Sequence, residues 1–240
     1  QNGAIATREG VVFGRRDKTP REEALKGLPL LEIPKFPPET SLELDVRSLP
    51  SWDEPRVSAS DSEDFSAFKL PQLIIKQGFS TDIARFRAVM VRSNAPPWGA
   101  ICSQAYLSVS GLGTSAEMLS SACVTYNSAF ATYFLWNTSS RLGHYRTEVL
   151  AKELVEVPLP PRISSIPPGH SAQDIDAAVR QAFNLTAADW TLIEDFLEYT
   201  LPDTLRKTPG PSRQPTQRKN KDGTKEPELI QYAKTFARVV

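Results

Sequence analysis

The clearest periodicity in the chain runs through Leu119, Cys123, Tyr126, Phe130 and Tyr133. Apolar side chains at three- and four-residue steps fall on one stripe of an α-helix. Thr114 is placed to cap the start of that helix, and Glu117 holds the reciprocal position of a capping box. The pattern predicts one long helix ending near Asn137, before a polar stretch over residues 138–145. Upstream, Leu73-Ile74-Ile75 after Pro71, a weak alternation over 86–91 and an apolar run over 101–109 predict three strands. Pro96 and Pro97 mark the second of the turns joining them. Downstream, residues 148–154 predict a short helix, and 155–161 an edge strand running into a proline-rich exit. Two more capping signatures follow. Ser171 with Asp174 opens a helix carrying Ile175, Val179 and Phe183, and Thr186 with Asp189 opens one carrying Trp190, Ile193, Leu197 and Leu201.

The two ends of the chain lack such regularity. Val11-Val12-Phe13 predicts a short strand and residues 21–28 a helical turn, but Pro34, Pro37, Pro38, Pro50 and Pro55 deny any long element there. Residues 58–64 are polar and acidic and predict a loop. The expected fold class is therefore α+β: a small mixed sheet packed with a long helix, followed by a helical hairpin. In chain order this gives a proline-rich N-terminal arm over 1–67, an α/β core over 68–163 and the hairpin over 164–204. A flexible basic linker over 205–227 and the start of a further helix over 228–240 complete it. The chain starts on Gln1 and its last predicted helix runs to Val240, so it reads as a segment of a larger protein. No internal repeat is visible.

Composition narrows the class. Hydrophobic residues make up 40% of the 240, enough for a packed core. Lys plus Arg and Asp plus Glu each number 28, a formal charge of zero, which argues against a free-standing coat held by non-specific phosphate attraction. Local reading of DNA by gathered basic groups is still open. Two cysteines build no disulfide framework, no signal peptide opens the chain and no apolar run spans a bilayer, so a cytoplasmic setting is expected.

Motifs for chemistry are incomplete. Gly111-Leu112-Gly113-Thr114-Ser115-Ala116 has the spacing of a dinucleotide fingerprint between a strand and a helix. The acid that would hold the ribose is missing, since no Asp or Glu lies between Met118 and Thr147. A tight turn into a capped helix is the plainer reading. Asn94-Ala95-Pro96-Pro97-Trp98 has the outline of an amino-methylation motif, but Ala95 cannot accept a hydrogen bond from a flipped base. It reads as a turn, with Trp98 in the core or at its rim. Cys102, Cys123, His144 and His170 show no chelating spacing, both histidines are expected in solvent, and no nucleophile elbow is present. Catalytic and metal residues are expected to be none.

Basic residues cluster twice. Arg85, Arg87 and Arg92 lie on or beside a predicted strand with Lys76 nearby, and Arg141, His144 and Arg146 follow the long helix. Guanidinium groups so placed can take phosphates or the guanine edge. On residue type alone, a solvated sheet face with ion pairs is the plainer reading.

The order of segments adds what no single motif does. Phe68-Lys69-Leu70-Pro71-Gln72-Leu73-Ile74-Ile75-Lys76 resembles a strand in the C-terminal region of N-6 adenine DNA methylases. Residues 87–90 and 98–101 resemble the strands that follow it. Tyr126-Asn127-Ser128 and Thr138-Ser139 within 119–140 resemble that region's helix. Leu154-Val155-Glu156-Val157-Pro158-Leu159-Pro160 is similar to an exit also seen in specificity subunits of restriction systems, and 175–193 resembles the helical segment beyond it. The resemblance covers about residues 68–200. It implies a target-recognition module of an adenine-specific DNA methyltransferase or restriction-modification enzyme. Such a module binds double-stranded DNA and positions it for a catalytic methyltransferase domain, in the same chain or a partner subunit. Lys76, Arg85, Arg87, Arg92, Arg141, His144 and Arg146 are the expected nucleic-acid contacts. No cofactor is expected in this segment, and S-adenosylmethionine is expected for the catalytic domain of the parent. The competing reading is a protein-interaction scaffold, to which zero net charge and proline-rich connections are equally natural.

Overall fold

The computed structural model describes residues 4–14, 21–58, 64–94, 97–112, 116–140, 142, 147–163, 166 and 169–205. Contacts divide the chain into two units, residues 1–197 and 198–240. Of the second unit, the described part is the end of a π-turn (Phe196–Thr200) and a short helix, Leu201–Leu205. All that follows concerns the first unit. Thr114, the linker residues 206–227 and the helix expected over 228–240 lie outside the described residues.

The strands are β1 (Ala4–Glu9), β2 (Leu30–Leu31), β3 (Glu43–Asp45), β4 (Gln72–Ser80), β5 (Arg85–Arg92), β6 (Ile101–Cys102) and β7 (Tyr106–Leu112). Five of them form a mixed sheet in the order β1-β7-β4-β5-β3, antiparallel except for β3 beside β5. β2 and β6 pair in parallel as a separate two-stranded ribbon. The expected α+β class holds. Leu73, Ile74 and Ile75 are all buried, which explains why β4 reads as a continuous apolar run: both faces of the sheet are covered. Side chains alternate across a strand, so Ile74, Val89 and Val91 enter one core and their neighbours the other. That first core also takes Leu25, Leu31, Leu44, Val46 and Val57. The N-terminal stretch expected as an arm thus supplies three strands and much of the packing on one face of the sheet.

The helices α1 (Ala116–Tyr126) and α2 (Ala129–Thr138) cover the other face. One long helix was expected, and the break falls at Asn127-Ser128. Ser128 is extended, with φ −92° and ψ 162°, and its Oγ accepts the Ala131 N–H as the cap of α2. The apolar stripe survives because the chain resumes helical geometry directly after the break. The single strand expected over 101–109 divides into β6 and β7 around a turn whose Ser103 bridges Val11. α3 (Ala151–Leu154) realises only the end of the helix expected over 148–154. The edge strand expected over 155–161 does not form. Val155 and Val157 donate back into the last turn of α3, and Pro158, Pro160 and Pro161 have no N–H to offer a ladder.

α4 (Ala172–Ala182) and α5 (Ala187–Asp195) start where expected, each with a complete capping box, Ser171 with Asp174 and Thr186 with Asp189. Between them Asn184 takes φ 52°. Its N–H reaches the Gln181 carbonyl and the Leu185 N–H reaches that of Arg180, a Schellman closure. Val179 and Ile175 pack with Val124 and Ile163, while Trp190 and Ile193 pack with Ala129.

Gly10 marks the tightest seam between the N-terminal stretch and the sheet. Its N–H donates to the Tyr106 carbonyl, and a Cβ there would stand 2.1 Å from the Ser103 carbonyl oxygen. Backbone cannot swing aside as a side chain can. Gly10→Ala is therefore expected to cost about 1–3 kcal/mol of stability or more. At Gly78 the nearest atom to an added Cβ is the flexible Lys76 Cε at 3.7 Å, and Gly78→Ala is expected to be mild. Paired chemical denaturation curves check this; equal losses at the two positions would contradict it.

Candidate functional site

Arg85 and Arg87 lie two residues apart on β5 and so point to the same side of the sheet. That is the side of Val89 and Val91, yet Arg85 meets Asp176 on α4 and Arg87 meets Asn127 at the α1–α2 junction. Arg85 Nη1 and Nη2 make a bidentate pair with Asp176 on α4, at 2.8 and 2.6 Å, and both side chains are largely buried. The same Asp176 carboxylate accepts the Ala129 N–H at 2.8 Å, the first free donor of α2. One ion pair thus ties strand, helix start and α4 together.

Arg87 is deeper, at 6% exposure. Its Nε donates to Asn127 Oδ1 at 3.0 Å, and its Nη2 donates to the carbonyls of Pro37, Pro38 and Ser41. The guanidinium also lies 5.6 Å from the Phe36 ring centroid. Burial pulls its pKa below the usual arginine value, against the distant charge of Glu39. Asn127 answers with its amide, Nδ2 donating to the carbonyls of Ala88 and Cys123, both at 2.8 Å.

Of the other expected contacts, Arg92 is exposed and paired with Glu43 at 2.6 Å across β5 and β3. Lys76 is half-buried at the middle of β4, its Nζ 3.4 Å from Ser80 Oγ. Arg85, Arg87 and Arg92 therefore do not share one solvated positive face: Arg85 and Arg87 are held inside the fold and Arg92 is paired with Glu43 at the rim. Arg141, His144 and Arg146 lie outside the described residues. The residues bracketing them are held. Glu153 accepts the Ser140 N–H and hydroxyl and the Ser139 hydroxyl, and also the Leu150 N–H. Across the gap, the Thr147 carbonyl accepts the Phe79 N–H at 2.6 Å, and the Val149 N–H donates to the Gln77 carbonyl. Both bonds use the part of β4 where its register with β5 is interrupted, between Lys76 and Ser80.

Nucleophile and metal chemistry find little support among the described residues. Cys102 and Cys123 are fully enclosed, and burial pushes both thiols up to about 12. A thiol so raised is not a nucleophile at neutral pH. Among the described residues no group of three His, Cys, Asp or Glu side chains is placed to hold a metal. His170, expected in solvent, is instead buried just ahead of the Ser171 cap, where α4 packs against α1 and α2. Trp98 packs at the rim of the first core, over Lys69. No helix among the described residues is long and apolar enough to cross a membrane.

The residues that sequence reasoning missed are polar ones inside apolar patterns. Asn127 sits in the apolar stripe of the long helix, Asp176 directly follows Ile175, and Glu153 looks like any acid in a short helix. A polar residue at a position the periodicity assigns to the core was the available signal for Asn127.

Glu153 gives this bracket a pH dependence. Burial would raise its pKa, but the N–H groups of Leu150 and Ser140 and the two serine hydroxyls outweigh burial and bring it to about 2, from an ordinary 4.5. A folded-state pKa below the unfolded one contributes stability above about pH 4.5 that is lost as pH falls toward 2. Glu153→Gln is therefore expected to lower Tm at neutral pH, and the gap to the natural protein is expected to close as pH falls through this range. Melting curves across pH check this; a gap that stays constant to about pH 3 would contradict it. Comparison with known proteins gives no family model and no curated protein that matches the chain.

Proposed function

We propose that this chain is a DNA target-recognition module of an adenine-specific DNA methyltransferase or restriction-modification enzyme. It binds double-stranded DNA and presents it to a catalytic domain that uses S-adenosylmethionine. The observation that carries the reading is the bracket around residues 141–146. Arg141, His144 and Arg146 lie between Ser140, held by Glu153 on α3, and Thr147, whose carbonyl accepts the Phe79 N–H of β4. Basic residues flanked by anchors on α3 at one end and β4 at the other fit a DNA-contacting segment. The segments that resemble the methylase region support it from another side. They pack as consecutive parts of one unit, from β4 through α5.

The geometry also revises the contact set. Arg85 is matched by Asp176 and Arg92 by Glu43, so the first DNA contacts to test are Lys76 and the bracketed basic residues. Replacing Arg141 and Arg146 together with Ala is expected to weaken duplex binding while Tm changes little. If both touch phosphates, the salt dependence of binding drops by about one unit per arginine. If one reads a base edge, the loss on the cognate sequence alone is about 1–3 kcal/mol. Fluorescence anisotropy on duplex DNA across salt concentrations, beside a melting curve, checks this. Unchanged affinity in a folded double variant removes the loop from the interface and favours a protein-interaction scaffold.

A further inference from the structure

The β4–β5 turn, residues 39–40 and the first turn of α4 enclose a cleft of about 360 Å³, walled by Arg85, Arg87, Asn127 and His170 with Glu39 and Gln173 also lining it. Arg87 also lines an adjoining cleft with Lys76, Ser80 and Asp82. Three observations bear on what these walls recognise. First, Arg87 is more than nine-tenths buried, yet its hydrogen-bond partners among the described residues are neutral carbonyl or amide oxygens. Nη1 donates to none of them. Second, no carboxylate among the described residues stands within ion-pair distance of Arg87; Glu39 and Asp82 act on it only at longer range. Arg85, two residues away, is fully matched by Asp176 and leaves Arg87 as the uncompensated cation. A buried cation with only neutral partners carries a desolvation cost that an anion beside it would offset. Third, α4 begins at the same cleft. Ser171 takes the Asp174 N–H, but the Ala172 and Gln173 N–H groups have no acceptor among the described residues. These sit at the positive end of an 11-residue helix.

We infer that this cleft is a binding site for a phosphate-class oxyanion, seated between the Arg87 guanidinium and the first-turn N–H groups of α4. The inference does not rest on the DNA reading, since the same chemistry arrives either on a nucleic-acid backbone or as a free phosphate or nucleotide. Glu39, exposed at the rim, and Asp174, whose carboxylate accepts the Ser171 N–H, are the opposing charges, and Glu39 is the one outside the helix cap.

The test uses the full chain and inorganic phosphate or pyrophosphate, with chloride at matched ionic strength as control. Phosphate is expected to raise Tm saturably, as a ligand of the folded state does, and chloride is not. Arg87→Ala strips the buried hub and unfolding would mask its effect, so two surface variants carry the test. Gln173→Glu adds an acid at the start of α4, where the helix dipole favours one, and is expected to keep the fold while weakening phosphate binding about tenfold. Glu39→Gln is expected to tighten it several-fold. No saturable phosphate effect, an equal effect of chloride, or natural affinity in Gln173→Glu would overturn the site. Displacement of phosphate by a short DNA duplex assigns the anion to a nucleic-acid backbone, and phosphate binding indifferent to duplex assigns it to a free phosphate or nucleotide.

Discussion

Everything on the helical side of the sheet depends on one side-chain amide leaving its helix. Asn127 turns its Nδ2 to the Ala88 and Cys123 carbonyls and its Oδ1 to Arg87. A buried amide has four hydrogen-bonding sites, and leaving them unmet costs about 1–3 kcal/mol each. Its contacts to Ala88 and Arg87 lie on β5 and that to Cys123 in the last turn of α1, and the helix stops at this point. The stop makes Ser128 a cap and sets the direction of α2. It also exposes the Ala129 N–H that Asp176 accepts. Asp176 in turn is what holds Arg85, and through it α4. A chain of obligatory polar pairings therefore fixes the placement of three helices on one strand.

This dependence explains what was legible beforehand. The strands at 72–80 and 85–92 and the capped starts of α4 and α5 follow from local rules, and local rules found them. The break at Asn127 was invisible to periodicity because the apolar stripe runs on through it: Tyr126 and Phe130 keep their spacing across the gap. The N-terminal strands were missed for a different reason. β1 pairs with β7 and β3 with β5, about a hundred and about fifty residues away in sequence, and no local pattern encodes a partner that remote. Prolines that deny regular structure say nothing about whether Leu25, Leu31 and Leu44 will be buried between them.

Among the basic residues, sequence proximity misled in an instructive way. Arg85, Arg87 and Arg92 look alike along the strand, but alternation separates Arg92 from the other two, and the docking helices decide the rest. The zero net charge is met locally, by pairs such as Arg21 with Glu23, Arg47 with Asp45 and Arg92 with Glu43. Against that background, a buried guanidinium matched by no acid among the described residues and a basic stretch bracketed by two fixed anchors stand apart. The first belongs to the cleft beneath α4 and the second to the end of β4, so the two concentrate different chemistry on different parts of one unit.

The account's central claim is that the segment between Ser140 and Thr147, with the adjoining end of β4, meets DNA. Hydrogen–deuterium exchange of the full chain with and without a saturating mixed-sequence duplex tests it without any substitution. Added protection is expected in peptides spanning 140–149 and 76–80, with the α4–α5 turn around Asn184 unchanged. Protection centred on the α4–α5 turn, or none anywhere at saturation, would contradict it.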